Sequence, residues 1–300
     1  MEKEIESMNT QSNDLARYKE GQRQQWDSVA AGWKKWWRTI ETGAQYVSKR
    51  MVELAEVEPG QRVLDIATGI GEPALLAASR VGPAGRVVAT DLSSQMLDIA
   101  RERATTLGLT NVEFIEADAE QLDFPDGSFD AILCRWGLTS LPNPLNTLVA
   151  IRRMLTPNGS FATSVWEVEP KGRPLASLAM AVAREMFDLP SPRPGAPSLS
   201  GSAENALEKE MIHAGFTDVR VEEMTLILEL PSTEDCTQYL MDVSPDFAVL
   251  LSDKSSGQQA EYRQRLAEKL RQYMIVGGSV RIPNVTICAV GRRLWPMSLL

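Results

Sequence analysis

Between residues 62 and 165 short β-rich runs alternate with amphipathic segments, and no other feature restricts the fold of this chain so strongly. The runs 62–67, 86–91, 112–118, 129–134 and 160–165 concentrate Val, Ile and Phe, which suit a pleated, buried surface. The segments between them, 72–80, 93–107 and 144–155, place apolar residues at helical spacing. Gly82-Pro83-Ala84-Gly85, Asp126-Gly127 and Pro157-Asn158-Gly159 supply turn chemistry at the joins. Strands alternating with helices of this length imply βαβ units. The expected fold class is therefore α/β, a mostly parallel sheet with helices on both faces.

The flanking segments read differently. Residues 1–15 are polar; from 18 to 40, Trp26, Val29, Ala30, Trp33, Trp36, Trp37 and Ile40 recur at helical spacing. A second helical stretch, 46–57, ends at Glu58-Pro59-Gly60. After the fifth strand, 167–201 holds six prolines around a helix with Leu175, Leu178, Val182, Met186 and Leu189 on one face. Helix 202–214 and strand 218–230 resume the core, and 231–278 carries a helix with Tyr262, Leu266, Leu270 and Tyr273 on one stripe. A β-rich run, 284–291, closes the pattern. The expected organisation is a helical lid (1–57), a core (58–166 and 202–230), a lid insertion (167–201), a helical cap (231–278), and a final strand with tail (279–300).

Composition narrows the partners. Of 300 residues, 43% are hydrophobic, and 40 acidic side chains against 31 basic leave a formal charge of -9. An acidic chain with scattered Lys and Arg is not expected to bind nucleic acid or an anionic membrane as a whole. No run approaches the apolar length of a membrane span, and the polar first thirty residues carry no secretory signal. A cytoplasmic monomer or homodimer is the expectation. Cys134, Cys236 and Cys288 are too few and too far apart to suggest a disulfide framework or a metal site, so reduced thiols are expected and no metal.

The first strand runs into Asp65-Ile66-Ala67-Thr68-Gly69-Ile70-Gly71-Glu72 and then a helix. Gly69-x-Gly71-x-x-Ala74 satisfies a dinucleotide-binding pattern, with Asp91 20 residues after Gly71 to accept from ribose hydroxyls. Two cofactor classes share that physics. A dinucleotide brings a pyrophosphate to the helix N-terminus, where Asp65 and Glu72 would oppose it. The same carboxylates suit a ligand carrying an ammonium and a sulfonium, as S-adenosylmethionine (SAM) does, although Glu72 also fits the positive end of a helix dipole. Asp65, Asp91 and Asp118 follow one another at 26 and 27 residues. Three successive βα units thus each present a carboxylate at the strand's C-terminal end, where open α/β sheets bind ligands.

These pieces, together with Thr90-Asp91-Leu92-Ser93, Ala117-Asp118-Ala119-Glu120, Phe124-Pro125-Asp126-Gly127-Ser128-Phe129-Asp130 and Leu155-Thr156-Pro157-Asn158-Gly159, resemble the core of class I SAM-dependent methyltransferases. The resemblance covers 60–166 and is nearest to the ubiquinone/menaquinone C-methyltransferase subgroup. It implies a Rossmann-like seven-stranded sheet whose last strand inserts antiparallel, with SAM as cofactor and S-adenosylhomocysteine as product. It further implies that Asp65, Ala67, Thr68, Gly69 and Gly71 hold the methionine end and Asp91 the ribose. Leu92 and Met96 would flank the adenine, and Asp118 and Ala119 would meet its amino edge. Ala67 stands where the commonest family pattern has glycine.

In proteins this chain resembles, the segment Cys134-Arg135-Trp136 borders both cofactor and acceptor. Arg135 would hold a carboxylate or cap strand-end carbonyls. Trp33, Trp36, Trp37 and Trp136 are the acceptor-pocket candidates, the first three on an amphipathic helix whose indoles also serve as core. The expected acceptor is a small, partly hydrophobic molecule. A nicotinamide-dependent oxidoreductase and a non-catalytic SAM-binding protein are the rival classes. His213, far from the strand ends, is expected to be structural or solvent-facing.

Overall fold

The computed structural model describes residues 2–168, 170–190 and 203–294. In chain order these form α1 (Glu2–Leu54), β1 (Arg62–Ile66), α2 (Ala74–Val81), β2 (Arg86–Asp91), α3 (Ser94–Thr106), β3 (Val112–Glu116), β4 (Phe129–Arg135), α4 (Pro144–Met154) and β5 (Leu155–Trp166). They continue with α5 (Pro174–Phe187), α6 (Ala203–His213), β6 (Thr217–Leu230), α7 (Thr233–Val243), α8 (Pro245–Ser252), α9 (Ser256–Leu270) and β7 (Val280–Arg292). Residues 191–201 of the lid insertion and 295–300 of the tail lie outside the described residues.

The strands make one seven-stranded sheet in the order β3-β2-β1-β4-β5-β7-β6. Strands β1 to β5 run parallel, and β7 inserts antiparallel to both neighbours. This is the methyltransferase variant of the Rossmann-like sheet. Its two faces follow the period of two that a pleated strand dictates. Leu64, Ile66, Ile132, Cys134, Phe161, Ile287 and Ala289 face α4 and α6. The alternate residues Val63, Ala131, Leu133, Ala162, Cys288 and Val290 face α2 and the last turns of α1.

Two departures from the sequence reading matter for the site. The segments 18–40 and 46–57 belong to one 53-residue helix rather than two, about 80 Å long at 1.5 Å per residue. Gly43, between the two expected stretches, lets the helix approach β6: a Cβ there would lie 2.4 Å from the Ile227 carbonyl oxygen. Gly32, 11 residues earlier on the same face, does the same against α7, where a Cβ would lie 1.8 Å from the Asp242 oxygen. The second departure is the length of β7. It starts at Val280, four residues before the sequence expectation, and pairs with β6 as far as Leu230. The β6–β7 ladder therefore runs past Trp166, the last residue of β5 paired to β7, and becomes an arm beyond the C-terminal edge of the sheet. Leu228, Leu230, Val280 and Ile282 on this arm carry a separate core with α5, α7, α8 and α9.

Candidate cofactor and acceptor site

Asp65, the penultimate residue of β1, is fully buried. Its Oδ2 accepts the Ala74 N–H at 3.0 Å, which ties the strand end to the first turn of α2. Its Oδ1 and the Thr68 Oγ1 are buried without hydrogen-bond partners, a condition that costs free energy unless a ligand or water relieves it. Burial pushes the Asp65 acid up to about 7, opposed first by the Thr68 hydroxyl, which lies close by without a well-formed hydrogen bond, then by the charge of Arg135 and the Ala74 amide. The loop that follows turns through positive φ at Ala67 (55°), Gly69 (56°) and Gly71 (104°). A Cβ on Gly69 would meet nothing within 4 Å, so the loop there borders open space. A Cβ on Gly71 would meet Leu75 of α2 at 2.9 Å and Ala100 of α3 at 3.2 Å; that glycine serves helix packing.

The next two carboxylates stand in register beside it. Asp91 accepts the Gly69 N–H through Oδ2 (2.7 Å) and the Ser93 N–H through Oδ1 (2.9 Å), so β2 positions the glycine loop. Burial raises its acid. A carboxylate offers about four acceptor positions, which leaves room for two hydroxyls. Asp118 accepts the Glu120 N–H at 2.9 Å. Leu92 and Ala119 are half-buried, and Met96 is buried with Val29, Ala30, Ile70 and Ile99 beneath Trp26, Trp33 and Trp37.

Helix α1 lies along this edge. Lys19 reaches Asp118 (2.5 Å) and Glu120 (2.9 Å); burial disfavours its ammonium, but these two bonds leave its pKa raised. Asp27 accepts the Ser93 hydroxyl at 2.6 Å. Further along, Glu41 takes both ends of the Arg135 guanidinium, at 2.7 and 3.1 Å, while Ser48 accepts from it at 2.9 Å. Arg135 and Glu41 are both only 7% exposed. The carboxylate on Arg135 is thus one of the chain's own. Glu72 pairs with Arg103 at 2.8 Å, and burial together with the nearby Glu41 raises its acid.

The tryptophans divide between the two sides. Trp36 donates to Asp242 (2.7 Å) and stands edge-on to Tyr239, and Trp33 donates to the Val243 carbonyl (3.0 Å). Both bonds fix α1 to α7. Trp136 takes φ 62°, a conformation rare for a bulky residue. Its ring stacks on Trp166 at 4.2 Å, its indole donates to Thr286 at 3.0 Å, and the Arg135 guanidinium lies 4.7 Å from its centre. Trp33, Trp36 and Trp136 all border the arm-and-cap core. Trp37 instead packs beside Ile70 and Met96 with Arg103 4.8 Å over its ring, on the side of the glycine loop.

Cys134 is buried, with its thiol pushed up to about 12 by burial and the nearby Asp65. Cys134, Cys288 and Cys236 sit in three different cores. His213 is exposed at the end of α6. Sequence reasoning missed Lys19, Asp27, Glu41, Trp166 and Tyr239. For Glu41 a signal existed: with Ser48 seven residues later it forms a polar pair on the buried stripe of an otherwise apolar helix face.

A methyltransferase domain family matches residues 63–159. The chain is 39% identical over 150 residues to the ubiquinone/menaquinone biosynthesis C-methyltransferase UbiE of Ectopseudomonas mendocina, covering 49% of this chain and 58% of that one. Against the UbiE of Ectopseudomonas oleovorans it is 38% identical over 134 residues, which is 44% of this chain and 79% of the relative. The chain belongs to the class I SAM-dependent methyltransferases. Phosphoethanolamine N-methyltransferase 2 of Haemonchus contortus, solved with S-adenosyl-L-methionine, shares the fold at a TM-score of 0.51 and 22% identity, over 83% of this chain and 53% of that one. The chain spans little more than half the length of the first UbiE relatives it matches. Residues 167–294, with the cap and arm, lie outside the matched domain.

Proposed function

We propose that this methyltransferase transfers the sulfonium methyl of SAM to a small, partly hydrophobic molecule held under the cap. The observation that carries the cofactor half is the row of strand-end carboxylates with two buried, unpartnered oxygens, Asp65 Oδ1 and Thr68 Oγ1, beside the open face of Gly69. Asp65, Ala67, Thr68, Gly69 and Gly71 hold the methionine end, and Asp91 accepts from the ribose hydroxyls while keeping its two loop amides. Leu92 and Met96 flank the adenine. Asp118 and Ala119 meet its amino edge once Lys19 shares or yields the Asp118 carboxylate. Cys134 and Arg135 close the floor between cofactor and acceptor.

When bound, SAM supplies an electrophilic methyl on a sulfonium. Around it Asp65, Glu72 and Glu41 stand against Arg135 and Arg103, an acidic excess that favours a ligand of net positive charge. The product lacks the sulfonium charge, so the same surroundings hold it less well and favour its release. Orientation of the acceptor against the methyl can supply much of the rate. Trp33, Trp36 and the Trp136–Trp166 stack give the acceptor an apolar, water-excluding wall, which strengthens fixed charges inside.

The test follows methyl-labelled SAM through a fractionated cell extract. Label in a lipophilic small-molecule fraction is the expected result. Label in protein or RNA would overturn the small-molecule reading, and label in polar metabolites would keep the transfer and discard the apolar acceptor.

A further inference from the structure

The arm ends in an apolar tip that the site does not use. After α9 and a short 3-10 turn (Arg271–Tyr273), the chain reverses at residues 274–279 before entering β7. Met274 bridges Val280, Ile275 N–H donates to the Ser279 carbonyl at 3.0 Å, and Gly278 N–H donates to the Ile275 carbonyl at 3.0 Å. Gly277 and Gly278 take φ 104° and 90°, which a tight reversal needs and glycine allows. The turn is therefore fixed, and it holds Met274, Ile275 and Val276 out together, at 44%, 42% and 104% exposure. Single exposed apolar residues are ordinary; three in succession on the apex of a built turn mark an interaction surface.

Its charge distinguishes it from the rest of the molecule. Residues 261–281 contain Arg263, Arg265, Lys269, Arg271 and Arg281 against Glu261 and Glu268, with Arg265 paired to Glu261 at 2.5 Å, in a chain whose formal charge is -9. Lys269, in the last turn of α9, and Arg271, at the start of the 3-10 turn, are exposed just before the reversal. Arg281 flanks the exit, paired at 3.2 Å with Glu229 across the ladder. Tyr273 lies half-buried at the base. An apolar apex, an amphipathic ring behind it and a collar of cations form the order of chemistries met on crossing from acyl chains through the interface to anionic headgroups. The tip also belongs to the arm that carries the cap, on the C-terminal edge of the sheet.

We propose that the tip 274–276 docks this protein, by shallow insertion, on a bilayer surface containing anionic lipid. The acidic remainder of the chain repels such a surface, so contact is confined to the tip and weakens with salt. The inference does not depend on methyl transfer.

The test is co-sedimentation of the purified protein with phosphatidylcholine vesicles, with and without phosphatidylglycerol, at low and high salt. The expected result is salt-sensitive binding to the anionic vesicles. Val276→Asp should abolish it, and Arg271→Glu should weaken it by fivefold or more, at about fivefold per cation. Circular dichroism and calorimetric binding of S-adenosylhomocysteine should be unchanged in both variants, so that loss of fold is not mistaken for loss of docking. Absence of vesicle binding by the parent protein would overturn the proposal, as would binding that Val276→Asp leaves intact. A dimer in light scattering that Val276→Asp dissociates would reassign the tip to a second copy of the chain.

Discussion

The proposed cofactor edge and the proposed acceptor side are built on opposite principles. At the edge, backbone does the positioning: Asp65 is tied to the Ala74 amide and Asp91 to the Gly69 and Ser93 amides. On the acceptor side, side chains do it. The Arg135–Glu41 fork, the Trp136–Trp166 stack and the Trp33 and Trp36 bonds to α7 join elements far apart in sequence. A site fixed by backbone can bind one cofactor in many relatives. One fixed by side chains can change acceptor without disturbing it. The matched domain family ends at residue 159, before the cap begins.

That contrast can be broken or sharpened by substitution. The largest effect is expected at the pair that joins the two sides. Glu41→Ala leaves a buried guanidinium without its fork and should cost about 3 to 5 kcal/mol in a denaturant unfolding experiment. A cost below 1 kcal/mol would mean that α1 is not held there. Asp91→Ala should weaken SAM binding by about a hundredfold, through the loss of two charge-assisted bonds at roughly 1.5 kcal/mol each; unchanged affinity in calorimetry would remove the ribose assignment.

Next in size is Gly43→Ala, expected to destabilise by about 1 to 3 kcal/mol because the new methyl meets the Ile227 carbonyl. Stabilisation, the usual result of Gly→Ala in a helix, would contradict the close approach of α1 to β6. The smallest effect on the edge is Ala67→Gly, which relieves a positive φ at a non-glycine position and should stabilise by at most about 1 kcal/mol. His213→Ala should leave turnover within about twofold, since surface changes away from such features cost little.

The same contrast explains what the sequence made legible. Val63, Leu64 and Ile66, or Ile132 and Leu133, announce strands because burial on both faces of a parallel sheet demands continuous apolar runs. Asp65, Asp91 and Asp118 are legible because the βα repeat fixes where strand ends fall. The partner of Glu41 was not, since the Glu41–Ser48 pair marks a polar spot on an apolar stripe but nothing local points to Arg135, 94 positions away; nor was Trp166, a ring whose role depends on stacking. The continuity of α1 through 41–45 was not legible because a helix glycine such as Gly43 has two meanings, and only the neighbouring strand tells them apart. The arm escaped notice for a similar reason: residues 280–283 include Arg281 and Pro283, which a strand tolerates where one edge faces outward.

The most direct test of the acidic edge is a calorimetric titration of the purified protein with SAM, S-adenosylhomocysteine and a nicotinamide dinucleotide at pH 6 and pH 8. Asp65 is held near 7, above the ordinary carboxylate range, so the folded protein binds the extra proton below that pH. The contribution of Asp65 to stability therefore falls as pH rises from about 4 to about 7 and is level above. A ligand of net positive charge favours the ionised carboxylate. SAM should therefore bind more tightly at pH 8 than at pH 6, with proton release at the lower pH, while S-adenosylhomocysteine should show a smaller dependence and the dinucleotide no binding. Tight dinucleotide binding, or SAM affinity that falls as the carboxylate ionises, would contradict an edge built for a cationic adenosyl ligand.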